Sequence, residues 1–377
     1  MDKESVKSLI YSLANSFVGR EEEAKVAVFS LITKNHCVLL GQPGVGKSAI
    51  LNMLADSVGG KFYYYLMNRY TIPDELVGAI DPIEYSNGRF VRMMKNKLPE
   101  AHIAFIDEVF KGSSETLNTL LNIMNERNFV DTDGKRIPVP LISMFAASNE
   151  MPHSDELQAF YDRILLKHFV KPVNNNRLEE GLLKNLERLG TVRPVTPVKF
   201  TLDELDGFYN DLKVFMVDNA KMIAKTISEL AGVLKAQGVN ISDRTIMNPT
   251  YLPILVAARS YVYDTPLRRS AIEMSKYVLQ NNEEQLDAYN KALETIYPPE
   301  LREAQRKIEE TRSNITALEM KAAKENAMIA IEQCTALNNN PDTKTLYSDE
   351  IKEIVSEAEI LIKKISEVSQ QIIGQKR

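Results

Sequence analysis

The fold is decided by Gly41-Gln42-Pro43-Gly44-Val45-Gly46-Lys47-Ser48. An apolar run, residues 36–40, precedes this stretch, and a helical pattern opens with Ala49. Glycines let the backbone curl until successive N–H groups point to one spot, and the start of a helix adds positive potential there. The spacing G-x-x-x-x-G-K-S between a strand and a helix therefore predicts a site for a nucleoside triphosphate. We expect Lys47 to reach the β- and γ-phosphates, and Ser48 to ligate Mg²⁺.

A second apolar run, residues 103–106, ends in two acids, Asp107 and Glu108. A continuous apolar run is typical of a strand buried on both faces of a parallel sheet. Side chains at the carboxyl end of such a strand lie in the crevice where open α/β sheets bind ligands. An acidic pair is often only a helix cap. Together with the phosphate loop, however, it predicts that Asp107 holds Mg²⁺ and that Glu108 orients or deprotonates the attacking water.

Three further polar residues are weaker candidates. Asn149 follows an apolar run, residues 141–147, and its amide could contact the γ-phosphate or its water, although such an Asn is usually a turn residue. Arg163 could stabilise phosphate charge in a transition state, but an isolated Asp-Arg pair is no evidence for that role. Arg244 follows a helix cap at Ser242 and so opposes the helix dipole, which weakly favours an external anion.

The spacing of apolar residues and the positions of turn residues predict the secondary structure of the remaining chain. Helices are expected within residues 1–35, and hairpins at 83–92 and 128–137, where Asn87-Gly88 and Asp133-Gly134 form the turns. Sheet signals stop after residue 172. Near the end, apolar residues step by three and four, which predicts two long helices that pack as a hairpin. The first set is Leu301, Ala304, Ile308, Thr311, Ile315, Leu318 and Ala322, and the second is Ile351, Ile354, Ala358, Leu361, Ile365, Val368 and Ile372.

Bulk composition narrows the classes of function. The 377 residues carry a net charge of −5, so no global basic field recruits nucleic acid, although a local basic cluster exists at Arg89, Arg92, Lys95 and Lys97. Cys37 and Cys334 lie far apart and form no metal-ligand spacing. No N-terminal signal-like run and no stretch of eighteen apolar residues is present, so we expect a cytoplasmic protein without a membrane span.

Taken together, these motifs resemble those of the AAA+ ATPases, specifically the MoxR group and its RavA subgroup, over roughly residues 10–285. The resemblance implies that Asp107 and Glu108 form the Walker B motif and that Asn149 is sensor 1. It also implies that Arg163 is an arginine finger donated to a neighbouring subunit, and that Arg244 is sensor 2 on the lid. The most specific stretches are 41–48, 105–108, 117–127, 146–150, 161–163 and 242–244.

The resemblance also implies an architecture and an assembly. We expect an α/β AAA+ core with a parallel β-sheet flanked by helices over residues 1–172. An all-α lid is expected over 173–267, and a helical hairpin or triple-helical domain over 268–377. Family members form hexameric rings and act with partners that carry a von Willebrand factor A domain. Two features depart from RavA: the terminal helices join through a short turn instead of a β-rich insertion, and Thr245 replaces a second arginine.

The favoured hypothesis is a ring motor that hydrolyses ATP with Mg²⁺ and remodels protein complexes, in the manner of a chaperone. A nucleic-acid motor is the first alternative, since related ring ATPases include helicases and the basic cluster could contact a backbone. The second alternative is a nucleotide-gated scaffold without catalysis. The presence of Glu108, Asn149 and Arg163 argues against that scaffold.

Overall fold

The computed structural model shows alternating strands and helices up to residue 169, and helices without strands in the described residues that follow. The described residues are 1–131, 133–152, 154–173, 179, 182–183, 186, 199–279, 283–316, 320–339, 351–352 and 354–367. The strands are β1 (Cys37–Leu40), β2 (Phe62–Leu66), β3 (Ile103–Asp107), β4 (Asn128–Val130), β5 (Arg136–Pro138), β6 (Ser143–Ser148) and β7 (Leu166–Phe169). The helices of the first half are α1 (Lys3–Ser16), α2 (Glu21–Ile32), α3 (Lys47–Asp56), α4 (Pro73–Val77), α5 (Pro82–Ser86), α6 (Ser114–Glu126) and α7 (Asp155–Arg163). Those of the second half are α8 (Leu202–Asp218), α9 (Ala220–Ala236), α10 (Asp243–Met247), α11 (Leu252–Tyr263), α12 (Leu267–Ser275), α13 (Glu283–Ile296), α14 (Pro299–Thr316) and α15 (Met320–Asn338).

Five strands form a parallel sheet in the order β2-β3-β6-β1-β7. Every residue of β1 and β6 is buried, as the continuous apolar runs predict for strands covered on both faces. Because the strands are parallel, β1, β3 and β6 end at one edge of the sheet, which we call the carboxyl edge. The opposite edge, where β1 and β7 begin, is the amino edge.

The helices that cover the sheet begin at side-chain caps visible in the sequence. Ser113 caps α6 by accepting a hydrogen bond from Thr116 N at 3.3 Å, and Ser154 caps α7 through Leu157 N at the same distance. The apolar stripe of α6 joins a core cluster with side chains of β1, β3 and β6. This packing fixes both ends of α6 relative to the two edges of the sheet.

The two expected hairpins have different outcomes. At 128–138, β4 pairs with β5 in antiparallel register, with Phe129 opposite Ile137, so the second hairpin is confirmed. At 83–92 the expectation of two strands is wrong: α5 occupies residues 82–86, and a single antiparallel bridge joins Ile80 to Arg92. The helix forms because Asp81 accepts hydrogen bonds from the N–H groups of Ile83 and Glu84.

The basic cluster beside this segment is largely engaged inside the protein. The Arg92 side chain is 7% exposed and donates to Asp74 and Asp131, each at 2.6 Å, and to Gly78 O at 2.7 Å. It thereby ties the 79–94 segment to the β4–β5 hairpin. Arg89 pairs with Glu84, and Lys97 donates to a backbone carbonyl. A nucleic-acid backbone would have to displace these contacts.

The chain divides into two compact units. One comprises residues 1–232 and 240–286 and contains the sheet; the other comprises 233–239 and 287–377 and contains α14 and α15. The three-part division at 172 and 267 stays a prediction, and residues 174–178, next to its first boundary, lie outside the described part. Within the described residues, no helix is both long enough and apolar enough to cross a membrane.

The terminal helices differ from the sequence expectation. A single helix through Leu301–Ala322 is wrong, because α14 ends at Thr316 and α15 begins at Met320. The two helices pack side by side, and small residues of α15 such as Ala327 and Ala330 allow close approach. Ile351, Ile354 and Ala358 join the same cluster, so three helical segments share one core. Leu318, Asn340, Pro341, Val368, Ile372 and the Ile315 side chain lie outside the described residues.

Arg92→Met should destabilise the unit that contains the sheet by about 2–3 kcal/mol, because it leaves Asp131 without its buried cationic partner. Arg89→Met is the matched control. Its pair with Glu84 is largely exposed, so the change should stay within about 0.5 kcal/mol. Chemical denaturation of both variants followed by circular dichroism makes the comparison. Equal stability of the two variants would contradict the assigned role of Arg92.

Candidate functional site

The phosphate loop is held against the carboxyl edge by its first glycine. Gly41 N donates to Ser148 O at 3.1 Å, which extends the pairing of β1 with β6. A Cβ atom on Gly41 would lie 2.5 Å from the carbonyl oxygen of Val170, so only glycine fits there. Gly46 takes a left-handed conformation, with φ 87°, and begins α3 as its cap. Gln42, Pro43 and Gly44 form the exposed crest of the loop, ahead of half-buried Val45, while Ala49 lies exposed in the first turn of α3.

Lys47 is buried inside this loop, with 8% of its surface exposed. Its ammonium donates to Gly41 O, and to Gln42 O at 3.1 Å. Burial lowers the pKa of the Lys47 ammonium, and the negative charges of Glu108 and Asp107 partly offset that effect. The predicted phosphate-binding cation and the predicted acids therefore share one electrostatic environment, as the sequence motifs require.

Ser48 and Asp107 meet although 59 positions separate them. Ser48 Oγ donates to Asp107 Oδ2 at 3.0 Å, and Glu108 N donates to Asp107 Oδ1 at the same distance. A hydroxyl and a carboxylate oxygen are the hard ligands that Mg²⁺ prefers, with water and phosphate oxygens completing its shell. The donor set therefore fits Mg²⁺. Among the described residues, no group of three or more His, Cys, Asp and Glu side chains could hold a metal by itself.

Glu108 stands in an unusual local environment. Its backbone is left-handed, with φ 54° and ψ 40°, a conformation that is rare for residues other than glycine and is concentrated at functional sites. Its Oε2 atom is buried and has no hydrogen-bond partner among the described residues. Lys111 Nζ lies 3.4 Å from that oxygen as an ion-pair partner. Among the described residues, the Lys111 ammonium is therefore the ion-pair partner of this carboxylate oxygen.

Asn149 follows β6 directly and is exposed at the carboxyl edge. Since Ser148 pairs with Leu40, this places Asn149 next to the start of the phosphate loop. The structure therefore gathers five predicted positions at one edge of the sheet: Lys47, Ser48, Asp107, Glu108 and Asn149.

Arg163 and Arg244 are not part of that group. Arg163 ends α7 just before β7 begins, so it lies at the amino edge. The four residues of β1 separate this edge from the phosphate loop, about 13 Å at the rise of a parallel strand. Arg244, from α10, lines the same cavity of about 340 Å³ as Arg163. We call this space the amino-edge cavity.

Four cations and two tyrosines are among the fourteen residues that line the amino-edge cavity. Its lining includes Lys34, Arg127, Arg163, Tyr209, Arg244 and Tyr251, and no acidic residue is among the described residues that line it. Arg244 donates to Tyr251 Oη at 3.0 Å, and its guanidinium lies over the Tyr251 ring. Lys34 pairs with Asp206 at 2.6 Å, so Arg163 and Arg244 are the cations that this surface can offer to an anion from outside.

Arg127 lines the amino-edge cavity and is held in place by backbone contacts. It caps the end of α6 in a left-handed conformation and donates to the carbonyls of Met124, at 2.6 Å, and Lys34, at 2.9 Å. Burial lowers its pKa to about 10. Burial, together with the adjacent Arg127 charge, holds the pKa of His36 well below its usual range, so His36 is neutral.

The sequence analysis gave no role to three residues of this cavity: Lys34, Arg127 and Tyr251. Only the position of Arg127, ending a helix without glycine, could have signalled a special backbone.

Comparison with known proteins identifies the family. A family model described as the MoxR domain in the MoxR-vWA-beta-propeller ternary systems matches residues 4–205, more than half of the chain. The chain belongs to the MoxR family of AAA+ ATPases. Membership of the RavA subgroup stays a prediction. The expected α/β AAA+ fold is confirmed by the parallel sheet, its flanking helices and the structural likeness described next.

Individual matches show what the chain is similar to. The uncharacterized protein MJ0812 of Methanocaldococcus jannaschii is 38% identical over 62% of this chain and 60% of its own length. The chaperone MoxR1 of Mycobacterium tuberculosis is 25% identical over 43% of each chain. A crystal structure of a suspected ATPase from Cytophaga hutchinsonii superposes with a TM-score of 0.61, covering 77% of this chain and 94% of that one at 18% identity, which shows the fold. The match spans about 60% of the length of the two M. jannaschii relatives.

Gly41→Ala should lower the thermal unfolding midpoint of this MoxR protein, because the new methyl group meets the rigid backbone oxygen of Val170. Gly207→Ala in α8 is the control, since its Cβ would point into open space. There, a glycine removed from an exposed helix should add about 0.5–1 kcal/mol of stability. Differential scanning calorimetry of both variants tests the contrast, and a stable Gly41 variant would mean that the loop is not seated on Val170.

Proposed function

We propose that this protein binds ATP with Mg²⁺ at the carboxyl edge of its sheet and hydrolyses it to ADP and phosphate. The observation that carries the proposal is the 3.0 Å hydrogen bond from Ser48 to Asp107, with buried Lys47 close by. A phosphate loop and a strand-terminal acid that converge in this way are the parts that P-loop enzymes use to hold a triphosphate and its metal. Family membership supports the same activity.

Each residue has a distinct task in the proposed reaction. The N–H groups of residues 41–48 and the Lys47 ammonium bind and orient the phosphates, so that the γ-phosphate faces Glu108. Mg²⁺, when bound by Ser48 and Asp107, neutralises phosphate charge. Glu108 orients a water molecule and accepts its proton at the carboxylate, while the Asn149 amide fixes the same water or the γ-phosphate.

The separation of the two edges supports assembly into a ring. Arg163 and Arg244 sit together in the amino-edge cavity, about 13 Å of strand away from their own phosphate loop. This placement favours an action of their charge on a nucleotide that belongs to another copy. We therefore propose a homohexamer in which the amino-edge cavity of one copy covers the γ-phosphate of the next, with Arg163 as the finger and Arg244 as the sensor.

The proposed cellular role is the remodelling of protein complexes. The relative from M. tuberculosis is named a chaperone, and a shorter segment is 37% identical to the chaperone protein ClpB 1 of Parasynechococcus marenigrum over 24% of this chain. The name of the matching family model refers to systems of MoxR, vWA and β-propeller components. We propose a partner with a von Willebrand factor A domain on that basis.

Lys47→Ala should lose ATP binding, because the only buried cation of the described phosphate loop is removed. Glu108→Gln should keep ATP binding but lose turnover by about 100-fold or more, since general-base catalysis acts in the transition state. Calorimetric titration with ATP and a phosphate-release assay separate the two defects. Wild-type turnover in the Gln variant would remove Glu108 from catalysis.

Arg163→Ala should bind ATP with unchanged affinity and hydrolyse it slowly, and mixing it with Lys47→Ala subunits should restore part of the activity. In a mixed ring, the intact loop of an Arg163→Ala subunit meets the intact finger of its Lys47→Ala neighbour. Mixing Glu108→Gln with Lys47→Ala is the control: loop and base belong to the same subunit, so every site in the mixed ring still lacks either Lys47 or Glu108. Rings shown by native mass spectrometry to be mixed, yet inactive in the first combination, would rule out action between subunits.

A further inference from the structure

The 3₁₀ turn after Asp107 places a lysine next to the proposed catalytic base. The turn covers Val109–Lys111, and Lys111 N donates to Glu108 O at 2.9 Å, which closes it on Glu108. Lys111 Nζ then lies 3.4 Å from Glu108 Oε2. None of the sequence motifs assigned a role to this lysine.

The position of Lys111 is fixed by packing on both sides of the turn. Val109 and Phe110 are buried in the core, and Phe110 contacts the rings of Phe160 and Tyr161 edge-on. On the other side, Met67 N donates to Asp107 O at 2.8 Å and the Met67 side chain packs against Gly112. The backbone of the turn therefore has little freedom. This fixes the Cα position from which the Lys111 side chain extends toward Glu108.

The ion pair differs from an ordinary surface pair on the carboxylate side. The Glu108 side chain is 21% exposed and the Lys111 side chain 42%. The contacted oxygen, Oε2, is fully buried and has no hydrogen bond within the described residues. An ion pair with one buried member is less screened than an exposed pair and restrains the buried group more strongly.

Two cations thus face the same carboxylate. Lys47, in the phosphate loop, is held by carbonyls of its own loop and is close enough to feel the charge of Glu108. When a triphosphate binds, the Lys47 charge is directed to phosphate oxygens. Lys111 is bonded to no other described acid and keeps its contact with Oε2. It is the cation that can hold Glu108 while Lys47 is engaged.

We propose that Lys111 is a positioning residue for Glu108: its ammonium fixes Oε2, so that the carboxylate presents its other oxygen to the attacking water. This inference rests on the proposed ATPase function. In that function Glu108 must be oriented as well as present, because a displacement of about 1 Å at a reacting group can lower a rate about 100-fold. Lys111 itself touches neither the nucleotide nor the water.

The test compares two substitutions. Lys111→Met approximately keeps the length of the side chain but removes its charge, whereas Lys111→Arg keeps the charge. Lys111→Met should lower kcat about 10- to 100-fold, while KM and the calorimetric Kd for ATP stay near the wild-type values. Lys111→Arg should recover most of the lost kcat. Lys61→Met is the matched control, since it removes another exposed lysine from an ion pair, with Glu100, and should leave kcat unchanged.

A second arm separates positioning from a general structural effect. In the Glu108→Gln background, Lys111→Met should cause no additional loss of turnover, because the group it positions has gone. An additional loss there, an unchanged or raised kcat in the single variant, or a parallel fall in ATP affinity would overturn the proposal. If the wild-type protein binds ATP but never hydrolyses it, the proposed function fails first, independently of Lys111.

Discussion

The parallel pairing of β1 with β6 and β7 is the constraint on which the other features depend. It fixes where β1 ends, and the phosphate loop must begin at that point because Gly41 packs against Val170. The same pairing places Ser148 beside Leu40, so Asn149 emerges next to the loop. On the far side of β6, β3 delivers Asp107 within hydrogen-bonding distance of Ser48. A slip of one residue in this register would separate the loop from its acids.

Electrostatics differ sharply between the two edges of the sheet. At the carboxyl edge, one buried lysine, Lys47, interacts with two acids, Glu108 and Asp107. Positive and negative side chains are therefore both present, as the binding of a triphosphate together with a divalent cation requires. At the amino edge, arginines and a lysine line a cavity without described acids. Arg127 satisfies backbone carbonyls there, which allows a buried guanidinium to persist, and leaves Arg163 and Arg244 for an external anion. In the proposed ring, these two edges would form the complementary halves of one site.

Local backbone conformations explain why certain residues carry these roles. Glu108 and Arg127 both adopt left-handed conformations without being glycine. In each case the conformation turns the chain at the end of a buried element and directs a charged side chain toward a site. Core packing around Val109 and Phe110, and the carbonyl contacts of Arg127, supply the stabilisation that such conformations need.

The sequence by itself determined those structural elements that depend only on residues close together in the chain. The phosphate loop, the apolar runs that form most of β3 and β6, the cap of α10 and the second hairpin follow from residue type and spacing, which act within a few positions. The tertiary structure alone decided which distant residues meet. Arg163 with Arg244, Lys111 with Glu108 and Arg92 with Asp131 are pairs set by sheet order and packing. The same limit explains the error at residues 301–322: an apolar step of three and four is satisfied equally by one long helix and by two that fold back, and only the packing of α14 on α15 distinguishes them.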